Sequence, residues 1–289
     1  MPEIGNKTAQ VEINLIDKTF DVSQSESYHL SIQAEADGLS FCVLNTVLNK
    51  YIVLRSYPFL SNDPDILTDE CRSVFEIDEL LGLRYKSSSH LWISPWSTLV
   101  PHHLFDPDEA DTCLAFNHGK LTGEQTQYHF VKPVNLYNIF SCPETLTALL
   151  RKYQPDISLF HQTSPVIGSV IRTSRQFVGM AVFFYSRYLD IVVVENNRLL
   201  FYNTFQINTP EDSVYYLMGV SNLFNIDLLS TRLMYVGDLK CMPSEIEILK
   251  GHVGQMVECE PSSFTYSHYM SVLFRKKFFN LFNLYGCES

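Results

Sequence analysis

Glycine is scarce in this chain, with 12 in 289 residues and no two adjacent. Loops whose backbone amides close around a phosphate depend on glycine, so few such loops can form. No Walker A or G-x-G-x-x-G pattern occurs, nor H-E-x-x-H or G-x-S-x-G, which removes the local signatures of several enzyme classes. The seven cysteines are odd in number, irregularly spaced and without a C-x-x-C pair. They fit a reduced chain better than a disulfide framework. Basic residues are outnumbered, 21 against 32 acidic, for a formal charge of −11. That balance disfavours a nucleic-acid partner, because phosphate backbones are held by Lys and Arg. No apolar run approaches the roughly 18 to 20 residues of a membrane span. The first residues lack the apolar stretch of a signal peptide. The expectation is a soluble, cytoplasmic chain with no membrane span.

What the chain has in quantity is apolar and aromatic side chains: 46% hydrophobic, with 20 Phe and 16 Tyr. That is enough core for one large or two modest domains. Residues 178–205 read as three strands joined by short turns, the second turn being Asn196-Asn197, and a capped helix follows at Thr209-Pro210-Glu211-Asp212. Nearly the same succession begins at Tyr28. There Leu30, Ile32, Ala34 and Ala36 alternate on one face, Asp37-Gly38 suits a type I′ turn, and two further strands follow.

The remaining elements follow from periodicity and caps. A helix is expected over 65–81, with Leu67, Cys71, Val74, Phe75 and Leu81 on one side. Short strands are expected at 90–94 and 157–161, and a helix near 109–116. Strand is expected over 128–137, interrupted by Pro133, and Ser141-Cys142-Pro143-Glu144 reads as a capping box. A helix over 164–174 closes the first half. In the second half, strands at 232–236 and 255–259 alternate with helices from Ser244 and over 267–282. The order, three strands and then alternating helices and strands, implies an α/β fold. Each half would carry a mixed five-stranded sheet flanked by helices. The boundaries expected are 1–175 for an N-terminal lobe, with an insertion around 95–140, and 176–289 for a C-terminal lobe.

The run Leu30-Ser31-Ile32-Gln33-Ala34-Glu35-Ala36-Asp37-Gly38-Leu39-Ser40-Phe41-Cys42-Val43-Leu44 resembles the opening of a bacterial family of unknown function. That family is assigned an actin-like ATPase, ribonuclease H-like, fold. The resemblance extends over most of the chain, including 178–205. It implies two lobes facing each other across a cleft, as in actin, hexokinase and the chaperone ATPases. In such proteins glycine-rich hairpin turns hold the phosphates, an acid near each turn holds magnesium, and a Gly-Gly pair receives adenine.

Set against that pattern, Asp37, Gly38 and Ser40 keep part of the first turn. The second turn, Phe184-Tyr185-Ser186-Arg187-Tyr188, has no glycine, and the strand before it has no carboxylate. At the adenine position Gly237 and Asp238 offer a single glycine. The resemblance thus implies a pseudo-ATPase, a protein-interaction scaffold with no cofactor and doubtful enzyme activity, whose cleft is partly filled by Phe, Tyr and Arg side chains. The alternative is a divergent ATP-binding enzyme using magnesium and the residues Asp37, Gly38, Ser40, Gly237 and Asp238. His102 and His103, followed by Asp106, Asp108, Glu109 and Asp111, are metal-ligand types, but adjacent histidines point apart and acids there suit a helix start. The C-terminal segment 267–285 is apolar around most of its circumference. It is expected to pack between the halves or beneath a sheet, or else to serve self-association.

Overall fold

The structure, a computed structural model, describes residues 9–59, 64–173, 179–185, 187–237, 243–259 and 264–288. In chain order the first half contains β1 (Ile13–Ile16), β2 (Tyr28–Glu35), β3 (Gly38–Asn45), β4 (Lys50–Pro58), α1 (Pro64–Ile77) and β5 (Ser87–Trp92). An inserted layer follows: β6 (Ser97–Pro101), α2 (Ala110–His118), β7 (Glu124–Val131) and β8 (Leu136–Pro143). Then come α3 (Glu144–Tyr153), β9 (Ser158–His161) and α4 (Thr163–Thr173). The second half runs β10 (Gly179–Phe184), β11 (Tyr188–Glu195), β12 (Arg198–Gln206), α5 (Pro210–Leu223), β13 (Arg232–Val236), α6 (Pro243–Lys250) and β14 (Gln255–Glu258). The chain ends with β15 (Thr265–Tyr266), α7 (Val272–Lys277) and α8 (Phe279–Leu284).

The repeat is real at the level of topology. The second sheet has the order β12-β11-β10-β13-β14, its first three strands antiparallel and β10, β13 and β14 parallel. The first sheet contains the equivalent order β4-β3-β2-β5-β9 and adds β1 and β15, both paired to β4. The insertion forms its own sheet, β6-β8-β7. Leu67, Cys71, Val74 and Phe75 of α1 join Leu146, Leu149 and Leu150 of α3 in the core under the first sheet, as the helical spacing implies. Asn196 and Asn197 both take left-handed φ, +51° and +61°, which a two-residue hairpin turn requires. The Thr209–Asp212 capping box forms, Asp212 Oδ2 accepting from the Thr209 amide at 2.9 Å.

Several expectations are corrected. The β2–β3 hairpin closes one residue earlier than a turn centred on Asp37-Gly38: Glu35 pairs with Gly38, and neither Ala36 nor Asp37 has positive φ. Gly38 is the first residue of β3. A Cβ there would lie 2.9 Å from the Tyr57 carbonyl oxygen, so the close approach of β4 explains the glycine. The helix expected over 65–81 ends at Ile77, where buried Asp78 accepts from Arg55 Nη1 at 2.6 Å and caps a separate 3-10 turn through the Leu80 amide. Ser141 caps no helix: β8 runs on through Pro143, and the Ser141 amide bonds the Trp96 carbonyl.

The helix expected over 267–282 is interrupted. Phe278, at φ −104° and ψ 33°, separates α7 from α8, and the preceding Thr265 and Tyr266 add a strand to the first sheet. The chain thus leaves the second sheet and returns to the first. Met270, Phe278, Leu281 and Phe282 pack on Cys42, Leu44, Tyr51 and Leu54, while Phe279 faces Phe183 of the second sheet. With α4, whose Val166 and Val170 join that second cluster, α8 lies between the two sheets. Of the aromatic side chains in 267–285, Phe278, Phe279 and Phe282 are therefore buried inside the chain, while Tyr269, with Val272 and Leu273, is exposed. Among the described residues no helix is long and apolar enough to cross a membrane.

Candidate functional site

The hairpins that head the two halves meet at one cavity of about 490 Å³. Glu35 and Ala36 reach it from the β2–β3 hairpin, Tyr185 and Tyr188 from the β10–β11 hairpin. The sheet explains the floor: β2 and β5 run parallel with Ala34 opposite Trp92, so their carboxyl ends deliver Glu35 and Trp92 to the same edge. In open α/β sheets ligands sit beyond those ends. Thr68 and Arg72 of α1 form one wall. Trp96, just before β6, and Glu124, at the start of β7, bring the inserted layer in as the other.

The charge of this cavity is acidic. Among the described residues, Glu35, Asp69 and Glu124 face it against a single Arg72, and that arginine pairs with Asp69 one helical turn away. Burial, reinforced by the charge of Asp37, pushes the Glu35 carboxyl up to about 8, while its bond from Gln33 Nε2 at 3.0 Å and the charge of Lys277 act the other way. Burial also raises Glu124. In both cases burial disfavours the charged form. Trp92, only 8% exposed, has its indole Nε1 buried with no acceptor on the described chain.

Behind Tyr185 lies a buried polar chain that joins the lobes. Tyr185 Oη donates to Asp190 Oδ2 at 3.0 Å and accepts from Asn280 Nδ2 at 2.8 Å. Thr204 Oγ1 donates to Asp190 Oδ1 at 2.6 Å. Thr163 Oγ1 bridges Tyr202 Oη at 3.0 Å and His161 Nδ1 at 2.7 Å, and His161 Nε2 reaches the Ser94 carbonyl at 2.8 Å. Desolvation pushes Asp190 up to about 7 against the pull of these hydroxyls, the Thr204 bond first. The same burial holds His161 neutral, down to about 3.

Those of the residues singled out in the sequence that the structure describes do not converge. Asp37 is exposed in its turn, with its carbonyl taking the Phe59 amide. Ser40 is buried in the sheet, donating to Ser56 Oγ at 3.0 Å. Gly237, at φ +153°, lies against Phe184, where a Cβ would come within 3.0 Å of that residue's own Cβ. Asp238, like Ser186 of the second turn, falls outside the described residues. None of Asp37, Gly38, Ser40 and Gly237 lines the cavity; Glu35, Trp92, Trp96, Glu124, Tyr185 and Tyr188 do. Among the described residues no group of three His, Cys, Asp or Glu is placed to hold a metal ion. Asp106 instead caps a 3-10 turn, and His102 stacks on Tyr137.

Two mixed sheets of one strand order, joined across a cleft, define an actin-like ATPase fold. The chain belongs to the family described as Protein of unknown function (DUF3822), whose model matches residues 17–256. It is similar to a Bacteroides thetaiotaomicron protein with actin-like ATPase fold and unknown function, at 26% identity and a TM-score of 0.76 over 83% of this chain and 93% of that one. It also shares its fold with a chain of the PilM-PilN type IV pilus biogenesis complex, at 11% identity and a TM-score of 0.57, over 90% of this chain and 99% of that one. No curated protein matches.

Proposed function

We propose that this chain is a non-catalytic, actin-like interaction scaffold of the bacterial cytoplasm, and that the interlobe cavity holds part of a partner protein. One observation carries the reading: the space flanked by the two hairpins presents Glu35 and Glu124 together with indole and phenol rings. A nucleotide triphosphate brings negative charge that needs cations or converging backbone amides. Here it would meet carboxyls, while Arg72 is already paired with Asp69. Tyr185 and Tyr188 stand where the second turn would need glycine. The PilM-PilN complex gives a protein-binding precedent for the fold.

Isothermal titration with ATP and magnesium tests the reading. No saturable heat is expected up to millimolar nucleotide. Micromolar affinity would overturn the scaffold and favour the ATP-binding enzyme, for which loss of activity in Asp37→Asn would be the next check.

A further inference from the structure

We infer that β12 pairs with β12 of a second copy of this chain, antiparallel about a two-fold axis at Asn203, so that two five-stranded sheets join into one. The face concerned shares no lining residue with the interlobe cavity, and the pairing holds whatever that cavity receives. The internal repeat points to it first. β12 occupies in the second sheet the place that β4 occupies in the first. The edge of β4 is closed by β1, antiparallel, and by β15. Among the described residues no strand other than β11 pairs with β12. Register shows which groups this leaves open. The Ile207 amide bonds the Arg187 carbonyl, so alternation turns the backbone of Phe205, Asn203 and Phe201 toward β11 and that of Tyr202 and Thr204 outward.

The edge is also undefended. Exposed edge strands are ordinarily protected by lysine, proline or shortness. β12 runs for nine residues, and its register shift lies at the hairpin end, by Val194. Between Arg198 and Asp227 the chain carries charge at Glu211 and Asp212 alone. α5 lies beside the strand and antiparallel to it, with Tyr216 on Phe205 and Phe224 on Phe201. Its Leu217 and Val220 join the core under the sheet, while Tyr215, Met218, Asn222 and Leu223 form a second stripe on the outside. Tyr215 is 74% exposed and Leu223 67%. Strand and stripe border an apolar groove of about 610 Å³. On the opposite face a cavity of about 480 Å³ separates Thr98, Asn117 and His118 of the insertion from Tyr202 and Thr204, so the edge is open there as well. A strip free of charge and rich in Phe, Tyr and Met has the composition of an interface centre.

A second copy is the occupant that fits. With the axis at Asn203, Tyr202 falls opposite Thr204 of the second copy, and Thr204 opposite its Tyr202. The outward amides and carbonyls of both residues then satisfy one another in full. On the α5 side Phe201 meets Phe205 of the second copy, an aromatic cross-strand pair, and Asn203 meets its own equivalent. The charged ends come together in the favourable sense, because Arg198 falls opposite Asn208 of the second copy, beside the acidic start of its α5 at Glu211 and Asp212. Nine residues at about 3.3 Å each make a strip about 30 Å long, and a strand with its flanking helix is about 15 Å wide, so about 900 Å² is covered in all. Standard stable interfaces begin at about 1,200 Å². The strip therefore suits a reversible dimer of micromolar strength.

Sedimentation velocity of the whole protein, from about 1 µM to about 300 µM, tests the pairing. A reversible monomer–dimer equilibrium with micromolar Kd is expected. Tyr215→Glu and Leu223→Glu, made separately, place a charge on the outer stripe and should each weaken the dimer about tenfold or more. Both side chains are exposed, so urea midpoints at the lowest concentration should match the parent's. A variant whose midpoint falls is set aside for the other. Hydrogen exchange needs no variant. The amides of Tyr202 and Thr204 should slow as concentration rises, whereas those of Phe201 and Asn203, already turned to β11, should not. A protein that stays monomeric through the range, or a dimer that the folded variants leave intact, would overturn the inference. So would a dimer in which the Tyr202 and Thr204 amides exchange at rates independent of concentration, since its contact would not be the strand edge. Slow exchange of those two amides in the monomer would overturn it too, because another segment of the chain would then already cover the edge.

Discussion

Tyr51, in β4, donates its hydroxyl to the backbone carbonyl of Phe282 at 2.6 Å, across 231 residues of sequence, and their rings meet edge-on at 4.7 Å. This contact fastens the end of the chain to the sheet at its beginning. Both residues are fully buried, so the bond is shielded from water. Tyr51→Phe keeps the ring and removes the donor, so the bond to the Phe282 carbonyl is lost. The expected cost is about 0.5–1.5 kcal/mol in urea unfolding. Faster hydrogen exchange should be concentrated in 265–284, and an even loss of protection across both lobes would contradict the clamp.

Asp190 gives the protein a stability that declines with rising pH. Its pKa is raised by burial to about 7 from an ordinary 3.8, so between those values the folded state holds a proton that the unfolded chain has released. Stability therefore falls through that window and levels off above it. Asp190→Asn removes this dependence. The advantage of the variant over the parent should grow between about pH 4 and pH 7, to at most about 4 kcal/mol. Denaturation curves at half-unit pH steps measure it, and a parallel pair of profiles would rule out the assignment.

The histidines act in the opposite sense. His29, His90 and His161 are held at about 3 and His129 at about 4, in each case chiefly by burial. Below the ordinary value of 6.5 the unfolded chain takes up protons that the folded one refuses. Their contribution is complete above about pH 6.5 and is lost as pH falls toward 3. Four such groups outweigh the two raised acids, Glu35 and Asp190, on the acid side, and the acids prevail on the alkaline side. Maximum stability is expected between about pH 6 and 7. A maximum at pH 4 or 9 would show that other groups dominate.

The sequence discloses the frame better than the cleft. Alternation in β2, the apolar run of β11, the Asn196-Asn197 turn and the Thr209 capping box are local features that survive in the fold. The β2–β3 turn sits one residue away from where Asp37-Gly38 suggests, because Gly38 answers to Tyr57 across the sheet, a constraint invisible in the dipeptide itself. The break at Phe278 is equally hidden: none of the α7 residues is buried, whereas every residue of α8 is, wedged between two sheets. The cavity is assembled from Glu35, Trp92, Trp96, Glu124, Tyr185 and Tyr188, which only the juncture of two lobes and an insertion brings together. Asp190 does carry a signal, an acid inside the apolar run from Leu189 to Val194, where an unpaired charge would be costly.

Two glycines of the second half should respond to alanine with opposite sign. Gly219 lies inside α5 with nothing within 4 Å of the point a Cβ would occupy, so Gly219→Ala trades backbone freedom for helix propensity at no steric cost. It should stabilise by about 0.5–1 kcal/mol. Gly254 leads into β14, and its amide bonds the Leu228 carbonyl at 2.9 Å. A Cβ there would fall 1.8 Å from the Leu229 carbonyl oxygen, and backbone, unlike a side-chain tip, cannot swing aside. Gly254→Ala must push the 227–231 turn away from β14, at a cost of about 3 kcal/mol or more, in the tail of single-substitution effects. Thermal melts of the two variants beside the parent decide the matter. A Gly254→Ala protein that melts with the parent would mean that the two backbone segments do not approach as closely as the fold requires.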